Sequence, residues 1–258
     1  MYSYWDSAII RMKNLDLQEF LYHYESQGER CPIETSYLSP QPGVRYMFQK
    51  RMASILKLFD KQENKTLLDV GCGSGAYTYY FSNNKRSVVA LDISRQYLLH
   101  TKRLVFNKPN VHLLRANAHC LPLKNEIFDY ILCTEVIEHT IKPSKTLDEI
   151  ARVLKKGGNC IISIPSRYSP TEIIRSRSSQ YEHLHFWSVA QFRIMLRSRV
   201  LKILEVNHCL FLAYFLRYYL SKKPKLIPLI NAVEDVFSRT PLLRHLGWCS
   251  VFKCVHTQ

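Results

Sequence analysis

The sequence predicts an α/β fold with a doubly wound, mostly parallel sheet, and three observations carry that prediction. Strand-like apolar runs alternate with helix-like segments from residue 67 onwards, the pattern of a parallel sheet. The first of these strands ends in a glycine-rich turn, Gly71-Cys72-Gly73-Ser74-Gly75, with a helix-like segment directly after it. The second, Ser87-Val88-Val89-Ala90-Leu91, ends in an acid, Asp92.

Taken in order, residues 1–38 hold amphipathic, tyrosine-rich segments that read as a helical cap, and Ser39-Pro40-Gln41-Pro42-Gly43 breaks the chain. From Val44 a helix is expected, with Phe48, Met52, Ile55, Leu56 and Phe59 recurring at helical spacing. It should cover the sheet just before the first strand, Leu67-Leu68-Asp69-Val70. Glycines in the turn let the backbone bend sharply and approach a ligand, because no Cβ intervenes. The helix at residues 76–81 then points its first N–H groups into that turn. Ser94 caps a helix carrying Tyr97, Leu98, Thr101 and Val105. Strands three and four are expected at 111–115 and 128–133.

Leu147, Ile150, Ala151 and Leu154 lie on one face of the next helix. Lys155 and Lys156 suit its negative C-terminal end, and Gly157 suits a left-handed stop. Strand five, at 160–164, ends at Pro165; residues 166–186 read as a lid or loop, and Ser188 caps a further helix. Residues 201–208 and 248–256 form a final antiparallel pair. The connection between them is longer than usual and opens on an aromatic run from Phe211 to Tyr219. That run reads as packed helix, pocket lining or interfacial helix. The division is therefore a cap at 1–43, a core at 44–165, and at 166–258 a lid, the last strand pair and a helical insertion (209–245).

With 258 residues and 47% hydrophobic content, the chain is an ordinary globular domain, or one domain plus an insertion. Its eight cysteines form no C-x-x-C pair, so no zinc ribbon or redox motif is spelled out. The start shows no basic or apolar signal region, and the chain reads as cytoplasmic. A net charge of +15 favours anionic partners, whether nucleic acid, an acidic or lipid-like substrate, or a membrane face contacted peripherally. The plain alternative is a solvated basic surface. No RNA-binding signature accompanies the charge.

The loop alone leaves the cofactor open. Gly71-x-Gly73-x-x-Ala76 fits the dinucleotide fingerprint, and Asp92 would then read an NAD ribose. Against this, Gly75 makes the turn Gly-x-Gly-x-Gly, and Asp69 stands two residues before it begins. Ala116-Asn117-Ala118-His119-Cys120-Leu121-Pro122 and Phe128-Asp129-Tyr130-Ile131-Leu132-Cys133-Thr134-Glu135-Val136-Ile137-Glu138-His139 follow. Leu147-x-x-Ile150-x-Arg152-Val153-Leu154-Lys155-Lys156-Gly157-Gly158 completes the series. That succession, over roughly residues 45–165, resembles the class I S-adenosylmethionine-dependent methyltransferases, in the type 11 or ubiquinone-biosynthesis-like branch. The resemblance implies a Rossmann-like seven-stranded sheet, S-adenosylmethionine as cofactor, and methylation of a small or medium-sized acceptor. Oxygen is the expected target, on a quinone precursor, lipid, sugar or other metabolite. An RNA or tRNA methyltransferase is the alternative supported by the basic charge. A methyltransferase-like scaffold without catalysis is another.

By the same resemblance, Gly71, Cys72, Gly73 and Gly75 lie against the methionine part of the cofactor, and Asp69 helps place its amino group. Asp92 takes the ribose hydroxyls, with a helix-cap role as its plain alternative. Ile93 flanks the adenine. Asn117 stands where the family has aspartate, and can still accept from the adenine amino group through its carbonyl oxygen. Ala118 supplies a backbone N–H. Thr134 and Glu135 follow strand four at the ligand-facing edge, although Glu135 could equally be a solvated helix-start acid. His139 and His183 are the candidate general bases, against loop-closing and lid-anchoring roles. The lid and the insertion are expected to close the acceptor pocket. The methyl-transfer chemistry requires no metal, and no metal-ligand spacing is evident.

Overall fold

The computed structural model describes residues 36–60, 64–83, 86–175 and 183–257. The helical cap expected at 1–43 lies almost wholly outside them. The expected sheet is present. Its seven strands run β1 Thr66–Val70, β2 Ser87–Asp92, β3 Val111–Arg115, β4 Phe128–Thr134, β5 Leu154–Pro165, β6 Leu201–Cys209 and β7 Cys249–His256. They are ordered β3-β2-β1-β4-β5-β7-β6. The first five are mutually parallel, and β7 pairs antiparallel with both β5 and β6.

The helices are α1 Pro42–Leu56, α2 Ala76–Ser82, α3 Arg95–Leu104, α4 Pro143–Val153, α5 Pro170–Arg175, α6 Val189–Arg197, α7 Ala213–Lys222 and α8 Ile227–Arg239. Strand periodicity explains the layering, because neighbouring side chains leave a strand on opposite faces. Leu68, Ile131 and Ile162 enter one core, with Leu147 and Ile150 of α4 and Phe192 of α6. Leu67, Leu132 and Ile161 enter the other, with Met47 and Ile55 of α1 and Phe81 of α2. Each fully buried leucine or isoleucine contributes about 1.5–3 kcal/mol.

The predicted caps are present. The Ser94 hydroxyl accepts the Tyr97 N–H, and Ser188 forms a reciprocal capping box with Gln191. One expectation is corrected. Helix α4 stops at Val153, so Gly157 does not end it and Lys155 and Lys156 lie outside its last turn. The ladder to β4 explains this. The Glu126 and Ile127 N–H groups donate to Arg152 and Val153, Phe128 pairs with Leu154, and Lys155 Nζ lies 3.0 Å from Asp129. The chain is drawn into the sheet before the helix can continue. Gly157 takes its left-handed φ of 75° inside β5.

The insertion forms α7 and α8. Helix α7 packs on α1 at very close range. The Gly43 N–H donates to Ser221 Oγ at 3.1 Å, and a Cβ at Gly43 would stand 1.8 Å from the Arg217 carbonyl oxygen. Phe211, just before α7, is buried edge-on against Phe237 of α8, with ring centroids 5.7 Å apart. Among the described residues no helix is long and apolar enough to cross a membrane.

Candidate active site

Between β1 and β4 the strand order reverses, and a crevice is expected there at the carboxyl ends. A cavity of about 390 Å³ fills it, within the range of small-molecule sites. The glycine turn forms one wall. The Gly71 and Cys72 N–H groups both donate to the Leu91 carbonyl, at 2.7 and 2.9 Å, which ties the turn to the end of β2. A Cβ at Gly71 (φ 68°) would meet Val136 at 2.4 Å, so this position excludes any side chain. A Cβ at Gly73 (φ 53°) would meet nothing within 4 Å. Its open side belongs to the cavity.

Asp92, 6% exposed, holds the turn that its plain alternative role predicts. One carboxylate oxygen accepts the Ser94 N–H and the other the Gly73 N–H, each at 2.9 Å. It holds the loop while lining the cavity, and a carboxylate has further lone pairs for hydroxyl donors. Asn117 Oδ1 accepts the His119 N–H at 2.9 Å, which turns the Asn117-Ala118 wall inward.

Of the residues singled out from sequence, Gly71, Cys72, Gly73, Asp92, Ile93, Asn117, Ala118, Thr134, Glu135 and His139 line this one cavity. Asp69, Gly75 and His183 stand behind its wall. Asp69 is buried and accepts a hydrogen bond from Thr78 of α2 at 2.6 Å. Gly75 is the left-handed N-cap of α2, and a Cβ there would strike Thr101 of α3. His183 is 4% exposed and meets the edge of His139, with ring centroids 4.8 Å apart.

Glu135 is no solvated helix-start acid. It has a left-handed φ of 54°, rare for a non-glycine residue and a mark of a position held by its surroundings. Its Oε1 accepts from Ser163 at 2.8 Å, and its Oε2 is 3.3 Å from an Arg51 guanidinium nitrogen. Arg51 was missed in the sequence, as were its neighbours Phe48 and Tyr37, all three on the cavity wall. The available signal was a charge three residues after Phe48, on the apolar stripe of α1. The expected closure by lid and insertion falls in part on residues 176–182, which lie outside the described residues. Among the described residues none from 166–186 or 209–245 lines the cavity; α1 occupies that side, and the insertion packs behind it.

Burial shapes the ionisation of the acids. It pushes Asp69 from the usual 3.8 up to about 7, against the Thr78 hydrogen bond and with help from the nearby Asp92 charge. Burial also raises Glu138 well above the carboxylate range, with Glu135 adding to the effect. It raises the Cys72 thiol, aided by Asp92 and Asp69, so this cysteine is no thiolate. The folded protein holds a proton on Asp69 that the unfolded chain releases. Stability is therefore full below pH 4, falls as pH rises from about 4 to about 7, and levels off above, an effect of up to about 4 kcal/mol. Asp69→Asn keeps an acceptor for Thr78 without the charge. It should flatten that part of the melting-temperature profile between pH 5 and 8; an unchanged slope would place the titration elsewhere.

Residues 68–162 match a family model described as a methyltransferase domain. The chain is similar to a ubiquinone biosynthesis O-methyltransferase of Hydrogenovibrio crunogenus, 32% identical over 129 residues, covering 48% of this chain and 53% of that protein. It spans about half the length of several curated relatives it matches. Among solved structures it resembles a SAM-dependent methyltransferase of Thermotoga maritima, with TM-score 0.67 and 18% identity, covering 92% of this chain and all of that one. It also resembles a Haemonchus contortus phosphoethanolamine N-methyltransferase 2 in complex with S-adenosyl-L-methionine (TM-score 0.62, 16% identity, 82% and 53% covered). At such identities the structural likeness carries the fold, and the sequence match carries the methyltransferase domain at residues 68–162. The glycine wall, the acid at the end of β2 and the matched segment agree: residues 68–162 are similar to the methyltransferase domain, on the strand order of the class I S-adenosylmethionine-dependent methyltransferase fold.

Proposed function

We propose that this chain transfers a methyl group from S-adenosylmethionine to an oxygen of a small or medium-sized, partly apolar acceptor. The observation that carries the reading is a single cavity that combines a nucleoside-type wall, Asp92 and Asn117, with a second wall of Glu135, His139, Phe48 and Tyr37. When bound, the donor supplies a methyl group already activated for displacement, so alignment accounts for much of the catalysis.

Asp92 takes the ribose hydroxyls and Ile93 flanks the adenine. Asn117 and the Ala118 N–H meet the adenine edge, and Gly71, Cys72 and Gly73 lie along the methionine part. Asp69 and Gly75 act from behind, by setting the start of α2. Thr134 and Glu135 border the space between donor and acceptor. His139 stands on the acceptor side, where a neutral imidazole can take the acceptor proton. His183 holds its ring from the edge. The O-methyltransferase name of the Hydrogenovibrio relative agrees with an oxygen acceptor.

The test is transfer from methyl-labelled donor to panels of phenols, catechols, carboxylic acids, lipids and tRNA. Labelled ether or ester products from small molecules support the reading. Transfer confined to RNA, with a steep salt dependence from phosphate contacts, would replace it. Asn117→Asp preserves the acceptor for the His119 N–H and adds a charged acceptor toward the adenine. It should retain or strengthen S-adenosylhomocysteine binding in calorimetry. A marked loss would mean that the Asn117 amide donates instead.

A further inference from the structure

A second cavity, of about 430 Å³, shares no lining residue with the first. Helix α1 stands between them. Its Phe48 and Arg51 face the first cavity, whereas Lys50, Ser54 and the C-capping Lys57, at helical spacing on the other side, face the second. The end of β6 adds His208, and α8 with the turn Leu243–Leu246 adds Asp235, Arg239 and Arg244.

Charge sets this cavity apart. Four cationic side chains, Lys50, Lys57, Arg239 and Arg244, line it with two carboxylates, Glu234 and Asp235, which leaves two formal positive charges over. Both carboxylates are engaged. Asp235 Oδ1 is 2.7 Å from Lys50 Nζ, and the buried Glu234 accepts the Leu212 N–H at 2.9 Å. Among the described residues no carboxylate forms an ion pair with Lys57, Arg239 or Arg244, all three exposed. The positive field reaches the buried His208, whose Nδ1 is 3.0 Å from Ser250 Oγ. Its imidazole is pushed down from 6.5 to about 4 by burial first, then by His245, Arg244 and Arg193. Asp235 is held below the usual carboxylate range by the Lys50 hydrogen bond, with Lys57 and Arg239 adding to it against burial. Cations that converge on one concave surface repel one another unless an anion joins them.

We propose that this cavity binds a small phosphate-bearing dianion, with Lys57, Arg239 and Arg244 on its oxygens and Asp235 holding Lys50 in place beside them. Two uncompensated positive charges match a phosphate monoester near neutral pH. The planar guanidinium forks of Arg239 and Arg244 suit paired phosphate oxygens. The volume is that of a small-molecule site, whereas a nucleic-acid strand needs an extended groove. The site is separate from the methyl-transfer cavity and does not rest on that reading.

Full-length protein saturated with S-adenosylhomocysteine, which keeps the probes out of the first cavity, is titrated by calorimetry at constant ionic strength. The probes are glycerol 3-phosphate and inorganic phosphate, with the monoanionic diester dimethyl phosphate and a single-stranded RNA oligonucleotide as comparisons. One glycerol 3-phosphate or phosphate per chain is expected, held at least about tenfold more tightly than the diester. The double variant Arg239→Ala with Arg244→Ala should weaken it at least about tenfold, since two charge-assisted contacts are lost. That variant should bind S-adenosylhomocysteine as the wild type does, which shows that it folds. No saturable binding of either monoester probe would overturn the proposal. Equal affinity in the double variant, or binding confined to the RNA, would overturn it too. A wild type that fails to bind S-adenosylhomocysteine would overturn the functional reading; the phosphate titration, run without it, tests this site through the same double variant.

Discussion

Asp92→Ala should weaken S-adenosylhomocysteine binding about a hundredfold. Two hydrogen bonds from ribose hydroxyls to a charged acceptor contribute at least about 1.5 kcal/mol each, and about 3 kcal/mol together is that factor. The geometry adds a second loss. The same carboxylate holds the Gly73 and Ser94 N–H groups, so the truncation also releases the glycine turn from the end of β2. Asp92→Asn separates the two effects. An amide can still accept one of those N–H groups, but its own N–H₂ faces the other donor. It should recover part of the loop order and little of the affinity. Calorimetry with the wild type as reference reads both variants. An unchanged dissociation constant in Asp92→Ala would remove the residue from the cofactor site, and preferential binding of NAD by the wild type would change the cofactor.

The second large effect concerns Arg51 and Glu135. Each side chain is 13% exposed, and the pair joins α1 to the end of β4. Removing one member of a buried pair leaves the other charge uncompensated, at a cost of about 3 kcal/mol or more. For a chain of this size that is a fall of about 6–12 °C in melting temperature. Arg51→Met should show it. The double variant Arg51→Met with Glu135→Gln should recover much of it, because no lone buried charge remains and Ser163 can still donate to the amide oxygen. A melting temperature unchanged in Arg51→Met would mean that the ion pair is solvated and structurally idle.

The two experiments divide the site along the line between local and long-range information. The glycine-turn side of the cavity was legible because its signals are local. Glycines crowd one turn because Gly71 and Gly75 leave no room for a Cβ, and the acid stands at the end of the next strand. The opposite side was legible only in part: Thr134, Glu135 and His139 follow one strand, whereas Arg51, Phe48 and Tyr37 come from a distant segment. Arg51 reaches Glu135 from another layer. Glu138 meets His183 only once the chain after β5 has folded back, and no spacing in the sequence announces that approach. The early end of α4 has the same origin: cationic residues and a glycine marked a good helix stop, but pairing with β4 took the chain sooner.

Periodicity and turn chemistry in this sequence determined the seven strands, the glycine wall, Asp92 and the serine caps, since each depends on residues close together in the chain. Tertiary structure alone decided which helix covers the cavity, where the insertion packs, and that the buried Glu138 carboxylate lies without a hydrogen-bond partner among the described residues. Those outcomes depend on burial and on contacts between layers, where the removal of water sets the energy of every charge.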